Sequence, residues 1–256
     1  EPAILRDLQN DSSRALSIWE TVEEVKRDYG GTALSPAALL SPTAIYQFFR
    51  ASSEANCLHL YADSGTDSGT DSGGAITLPT ARSPLATFTF PRQKKADGLC
   101  LADYVRPNGA GTYDYVAFFI VSIGRGVREE AERLKVSGEY LKSHVLQALA
   151  LESAEAYAEL LHSQIRKAWG FPDAPDTTML QRFQAKYRGK RYSFGYPACP
   201  NLDDQSLLFK LLRPEEIGVQ LTDGFMMDPE ASVSALVFHH PDATYFSVGT
   251  TGDPTD

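Results

Sequence analysis

The sequence predicts an α+β fold: a single domain with a largely antiparallel twisted sheet, a long central helix and flanking helices. Three observations lead there. The 256 residues are 43% hydrophobic and 11% aromatic, enough apolar side chain to bury a sizeable core. Helical and strand patterns come in blocks rather than in the regular alternation of a parallel βαβ sheet. A continuous helical pattern of about thirty residues occupies the middle of the chain.

Taken in order, Leu5, Leu8, Ala15, Ile18, Trp19, Val22 and Val25 recur at three- and four-residue steps and predict a helix over 3–29, closed by Gly30 and Gly31, within an N-terminal helical part spanning 1–40. After Pro42, three β-rich runs cover 44–49, 57–61 and 85–90, the last alternating strictly as Leu-Ala-Thr-Phe-Thr-Phe. Between the last two lies a tripled Asp-Ser-Gly tract, 63–74. Its aspartates lack the terminal Glu and flanking helices of a calcium-binding EF-hand, and its Gly/Ser composition predicts a flexible loop. Tyr115 to Ile123 is short, aromatic and β-branched, which predicts a buried strand. Gly124-Arg-Gly126 resembles the start of a dinucleotide fingerprint but lacks its third glycine.

Residues 139–168 carry the long helix, with Leu141, Val145, Ala148, Leu149, Leu161 and Ile165 as its apolar stripe and Gly170 with Pro172 as its stop. Glu155, Glu159, His162 and Arg166 fall on one polar face, where a solvated charge ladder is expected. A further helix is predicted over 203–212. Two alternating runs, 232–238 and 244–248, separated by His239-His-Pro-Asp-Ala243, predict an antiparallel hairpin, followed by a tail at 249–256. Adjacent strand residues point to opposite faces, so His239 and His240 are expected to be structural rather than to share a metal.

The net charge of −9 argues against a nucleic-acid binder, since neutralising phosphates takes a surplus of Lys and Arg. Cys57, Cys100 and Cys199 are dispersed and odd in number, which predicts reduced thiols and a cytoplasmic setting. No apolar run approaches membrane-spanning length, and no membrane partner is expected. The sequence begins without methionine and lacks the pattern of a signal peptide; a fragment of a longer polypeptide is expected.

The most unusual local chemistry lies at 177–202, which holds no acid up to Leu202 and five bases: Arg182, Lys186, Arg188, Lys190 and Arg191. Such a cationic island suits an anionic ligand or an acidic protein surface. It leads into Arg191-Tyr-Ser-Phe-Gly-Tyr-Pro-Ala-Cys-Pro200, where two prolines fix the backbone and Gly195 admits conformations closed to other residues. This predicts a rigid irregular loop, and such loops commonly bind ligands.

Arg191-x-x-x-Gly195-Tyr-Pro-Ala-Cys-Pro200 resembles the signature of the activation domain of cobalamin-dependent methionine synthase. The likeness extends to Phe90-Pro-Arg-Gln93, Leu99-Cys-Leu-Ala-Asp-Tyr-Val105, Glu155-Ala-Tyr-Ala-Glu-Leu-Leu-His162 with Ile165-Arg-Lys167, Leu221 to Met227, Ala231 to Ser234 and Phe238 to Phe246, in family order from about Ser41 onward. The resemblance implies binding of S-adenosylmethionine and a reductive methylation of oxidised cobalamin, with the cobalamin held by a cobalamin-binding module of the same polypeptide. The electron would come from flavodoxin or a flavoprotein reductase. It implies that Arg191 contacts the ligand, that Gly195, Tyr196, Pro197 and Ala198 give contacts near it with Tyr196 facing the corrin, and that Tyr245 and Phe246 are the paired aromatics of the last segment. The second of those aromatics is often tyrosine in the family; Phe246 keeps only the ring contact. An aspartate that the family uses near the start of the domain falls before Glu1 in this numbering. Two other readings follow from the residues: a docking module for a corrinoid protein or an acidic electron carrier, and a small enzyme built on Glu155, Glu159 and His162.

Overall fold

The computed structural model describes residues 13–30, 39–62 and 83–249. The predicted 63–74 loop, the first part of the predicted N-terminal helix and nearly all of the 249–256 tail lie outside the described residues. Helices and a six-stranded sheet of order β3-β2-β1-β4-β8-β5 make the fold α+β. The strands are β1 (Thr43–Glu54), β2 (Cys57–Tyr61), β3 (Ala86–Thr89), β4 (Asp114–Ser122), β5 (Lys190–Tyr192) and β8 (Ser232–Phe238), with β6 (Gln220–Leu221) and β7 (Met227–Asp228) forming a separate ribbon. The β1–β2, β2–β3, β5–β8 and β6–β7 pairings are antiparallel. The helices are α1 (Ser13–Tyr29), α2 (Val127–Val136), α3 (Tyr140–Ala168), α4 (Met179–Phe183) and α5 (Gln205–Leu212). No helix among the described residues is long and apolar enough to cross a membrane.

The chain divides into two compact units. The first takes residues 1–45, 120–160 and 213–233. Its core joins Val25 of α1, Val127 and Leu134 of α2, Val145, Leu146 and Ala150 of α3, and Ala231. Polar contacts fix the helices around it. Lys142 donates to Glu24 and Asp28, both at 2.8 Å, and the Tyr29 hydroxyl donates to Glu130 at 2.6 Å. The α1 helix stops at Tyr29, where the Gly30 amide closes the last turn on the Lys26 carbonyl.

The second unit takes residues 46–119, 161–212 and 234–256. Along β4 every residue except Tyr115 is buried. A strand with neighbours on both edges and cover on both faces needs such an unbroken apolar run. Phe88 stacks on Phe90 and Phe194 and packs against Phe118, which also meets Phe49. Asp114, at the head of β4, accepts a hydrogen bond at 2.6 Å from His239, just past the end of β8, as well as the Tyr115 and Arg106 amides. Together these bonds hold its carboxyl below the ordinary range against the opposing effect of burial, which is the largest single influence on it.

Three expectations are corrected. Residues 127–136, for which no element is predicted beside Gly124-Arg-Gly126, form α2. Of the predicted α3 stripe, Val145, Leu161 and Ile165 are buried and Leu149 partly so, while Leu141 and Ala148 are exposed and Leu146, Ala150, Ala154 and Ala158 complete the buried face. Small alanines read as neutral in a periodicity count, yet they are what a helix buries where it lies close to its neighbours. The predicted hairpin of 232–238 with 244–248 does not form: β8 pairs with β5, in register Lys190↔Phe238, Arg191↔Val237 and Tyr192↔Leu236. Residues 244–248 run as an irregular segment held by side chains and by the 193–199 loop.

Candidate functional site

The candidate residues fall within the second unit, on β5, the loop that leaves it, and the 244–248 segment. Gly189 opens β5 with φ +75°, and a Cβ there would lie 2.7 Å from the Phe238 carbonyl oxygen. Only glycine lets the backbone approach β8 so closely. Successive strand residues point to opposite faces, so Tyr192 and Arg191 part company. Tyr192 is buried against Tyr104, Phe238, Tyr245 and Phe246. Arg191 is half-buried, as the middle residue of the strand.

Beyond Tyr192 the chain folds back on itself. The Gly195 amide, at φ +82°, donates to the Cys199 carbonyl at 2.9 Å, and the Cys199 amide donates to the Tyr196 carbonyl at 2.9 Å. The Cys199 thiol donates to the Ser193 carbonyl at 2.9 Å, and burial pushes that thiol up to about 12. Ala198 and Cys199 are buried, while Gly195, Tyr196 and Pro197 face solvent, Tyr196 at 61% exposure. This is a stiff, outward-facing bend.

The third piece is tied to the second by the Val248 amide, which donates to the Pro197 carbonyl at 3.0 Å. Tyr192 and Tyr104 both donate to the Thr244 carbonyl, at 2.6 and 3.3 Å, and the Thr244 amide returns a bond to the Tyr104 hydroxyl at 3.2 Å. Gln93 donates to the Ser247 carbonyl at 2.8 Å. Tyr245 thereby stands half-exposed with its ring 5.5 Å from that of Tyr192, and Phe246 lies against Tyr104 and Tyr192. The structure brings Tyr196, Pro197, Ala198, Tyr245 and Phe246 into one neighbourhood with the strand that carries Arg191.

Residues to which the sequence alone assigns no separate role support this neighbourhood. Gln93 and Tyr104 belong to the Phe90–Gln93 and Leu99–Val105 motifs, and they are the groups that hold 244–248. Arg92 fixes both motifs: it donates to both carboxylate oxygens of Asp103 at 2.6 Å, to the Gly98 carbonyl at 2.8 Å and to Asn56 at 3.0 Å. The motifs are thus braces.

The charge ladder on α3 is corrected. Glu155 is exposed and Glu159 half-buried, but His162 and Arg166 are fully buried. Arg166 donates to both oxygens of Asp173, at 2.7 and 2.8 Å, and its guanidinium lies 3.7 Å from the Tyr187 ring centroid. His162 meets the same ring edge-on at 5.3 Å, with no hydrogen-bond partner on either ring nitrogen among the described residues. Burial, then the charges of Arg166, Arg191 and Lys190, hold its pKa well below the ordinary histidine range. A neutral, enclosed imidazole is poorly suited to the acid–base role that an enzyme built on Glu155, Glu159 and His162 would need.

The basic island also divides. Lys190 turns its ammonium onto the Tyr187 and Gly189 carbonyls at 2.7 and 3.1 Å, and Arg191 lies on β5. Arg182, Lys186 and Arg188 remain on the outside, Arg182 half-buried and the other two exposed. No group of three or more metal-ligating side chains occurs among the described residues; His239 pairs with Asp114, and His240 packs on Tyr104.

A guanidinium on the strand that enters the bend can bind a carboxylate by two parallel hydrogen bonds, and the rings of Tyr245 and Phe246, packed on the Tyr192 face of that strand, can stack a planar or cationic group. A crystal structure of the MetH reactivation domain bound to AdoHcy superposes with a TM-score of 0.77 at 28% identity, covering 93% of this chain and 69% of that one. Methionine synthases of Mycobacterium tuberculosis and Mycobacterium leprae are 32% and 33% identical over 243 and 226 residues, 90% and 84% of this chain. The chain spans about a fifth of their length (19% and 18%). Residues 30–254 match the family described as vitamin B12 dependent methionine synthase, activation domain, and the chain belongs to that family.

Proposed function

We propose that this chain binds S-adenosylmethionine through Arg191, the Gly195–Ala198 bend, Tyr245 and Phe246, and presents its methyl group to cobalamin held by a neighbouring module of the same polypeptide. The carrying observation is the single neighbourhood formed by the Arg191 strand, the 193–199 bend and the 244–248 segment, closed by the Val248–Pro197 hydrogen bond. The residues fit the ligand: a guanidinium for its carboxylate, tyrosine rings for its adenine and sulfonium, and backbone amides and carbonyls on a bend that does not need to rearrange. The AdoHcy bound by the related solved domain is the same ligand less its methyl group, which supports this reading.

Cobalamin supplies the reaction with a cobalt centre that takes the methyl group once reduced. This chain's residues serve placement: Arg191 grips the amino-acid end, the bend sets the distance, and Tyr196, exposed on its tip, faces outward. The electron comes from flavodoxin or a flavoprotein reductase, in the cytoplasm, and the parent polypeptide transfers methyl from methyltetrahydrofolate to homocysteine.

Calorimetry with S-adenosylmethionine tests the assignment. Arg191→Ala removes a charge-assisted bidentate contact of about 1.5–3 kcal/mol, so affinity falls by roughly 10- to 150-fold. Arg191→Lys recovers only part of it, because a point charge cannot reproduce the fork. Unchanged affinity in Arg191→Ala overturns the site.

A further inference from the structure

His162 is fully buried, yet neither of its ring nitrogens has a hydrogen-bond partner among the described residues. Burying a polar group without a partner costs free energy, and placing a methyl donor gives this imidazole no task. Its setting is built around one ring, that of Tyr187. The Arg166 guanidinium lies 3.7 Å from the Tyr187 centroid, the Lys190 ammonium 5.2 Å from it, and His162 meets it edge-on at 5.3 Å. Lys190 opens β5, so the ring that His162 touches also supports the strand that carries Arg191.

The charges that act on the imidazole have one sign. Arg166 comes from α3, and Lys190 and Arg191 from β5. The segment between α4 and β5 contributes Tyr187, with Lys186 and Arg188 exposed on its outside. Asp173 is taken up by two nitrogens of Arg166, and Glu155 and Glu159, earlier on α3, are not among the groups that act on the ring. Lys190 is itself held below its ordinary value by burial and then by Arg166, so the site already disfavours positive charge. An imidazolium here would be a further buried cation with no acceptor for either N–H. The strand beside it is the part of the sheet least able to resist: β5 is three residues long, lies at the sheet edge and pairs on one side only, with β8. Such elements open at a lower free energy than a central strand.

We infer that His162 is an acid-sensitive latch for β5: while neutral it lets the strand close against Tyr187, and proton uptake by the ring releases the strand from β8. The sign follows from linkage. A histidine freed by opening titrates near 6.5 and the enclosed one well below, so the closed strand is fully favoured above about pH 6.5 and loses that advantage as pH falls through it. The latch concerns the strand and stands without the ligand; its consequence for S-adenosylmethionine, which acid would release together with β5, rests on the proposed role of Arg191.

Hydrogen exchange followed by mass spectrometry on peptides covering 187–192 tests the latch, expressed as protection so that the intrinsic pH dependence of exchange cancels. In the parent chain, protection falls about tenfold between roughly pH 7.5 and 5.5. His162→Phe, which keeps a ring against Tyr187, and His162→Gln, which keeps a neutral polar group, both lack that step. The β4 peptide, 114–122, stays better protected than 187–192 throughout, because the edge strand opens without unfolding the sheet. A flat parent profile, a step that persists in both variants, or 187–192 and β4 exchanging together each overturns the latch. So does an NMR titration of the folded parent that places the His162 imidazole near its ordinary value, a measurement that needs no variant. S-adenosylmethionine at about 100 times its Kd raises protection at 187–192 by up to about a hundredfold at pH 5.5. An acid step without that rise removes Arg191 from the ligand site and leaves the latch standing.

Discussion

Asp173→Ala tests the support under the site. Arg166 has no solvent exposure and Asp173 only 5%, yet they form a bidentate pair at 2.7 and 2.8 Å. Ser163 adds a hydrogen bond at 3.2 Å, and Arg182 stands 3.7 Å away. Removing the carboxylate takes the bidentate partner from a guanidinium buried against Tyr187. Breaking a buried pair from one side costs about 3–5 kcal/mol, or roughly 6–20 °C of melting temperature at this size. Thermal and urea unfolding followed by circular dichroism measure it. The double variant Arg166→Met/Asp173→Ala removes the buried charge as well and regains part of the loss, which gives a coupling energy between the two sites. The pH dependence has a defined sign. Hydrogen bonds from Arg166, before its charge, hold the Asp173 carboxyl below the ordinary aspartate value. A depressed native pKa contributes stability that is complete above the unfolded value, about 3.9, and is lost as pH falls through the native one. The parent chain therefore loses stability below about pH 4 more steeply than Asp173→Ala does. A loss under about 1 kcal/mol, typical of exposed pairs, together with identical acid limbs, refutes the reasoning.

Two further outcomes follow from the same geometry. Cys100 and Cys199 are buried, with both thiols pushed up by burial, whereas Cys57 is partly exposed on β2; a thiol reagent at mildly alkaline pH labels Cys57 in the native chain and all three cysteines only in denaturant, and rapid native labelling of Cys199 would contradict the closed bend. Gly189→Ala forces a Cβ to within 2.7 Å of the Phe238 carbonyl at φ +75°, costing about 1–2 kcal/mol for the left-handed backbone alone; it lowers S-adenosylmethionine affinity together with stability because β5 carries Arg191, and an unchanged melting temperature would show that β5 does not need that approach.

How much of this was legible in the sequence depended on whether the signal was local. The β4 strand was, because seven consecutive buried residues, Val116 to Ser122, leave little else for that stretch to be. The α3 helix was legible in extent, with observed bounds Tyr140–Ala168 against a predicted 139–168, and in part of its buried face, Val145, Leu161 and Ile165; the rest was missed because Ala150, Ala154 and Ala158 carry too little hydrophobic weight to announce it. The polar ladder failed for a related reason. Four titratable residues on one helical face look solvated until Asp173 and Tyr187, distant in sequence from the start of the ladder, supply a partner and a ring for Arg166. The hairpin of 232–238 with 244–248 failed because β8 had a better partner. Alternation shows that a run is extended, but the three residues Lys190 to Tyr192 are too short to advertise themselves as the strand that takes its edge.

The site itself was legible only through motif likeness, and the physical grounds for that lie in its supports. Nothing about Phe90-Pro-Arg-Gln93 or Leu99–Val105 names a ligand-binding role, and their polar residues act as braces instead. Arg92 clamps one motif to the other, and Gln93 and Tyr104 hold the backbone at Ser247 and Thr244. Residues 244–248 have no sheet ladder to satisfy their backbone, so their groups must find side chains or loop carbonyls. Those partners come from stretches far from 244–248 in sequence: Gln93 and Tyr104 from the two motifs, and Tyr192 and Pro197 from β5 and the bend after it. The order of Tyr245 and Phe246 is therefore a property of distant segments together. No periodicity within 244–248 can encode it, whereas a set of motifs kept in order along the chain can.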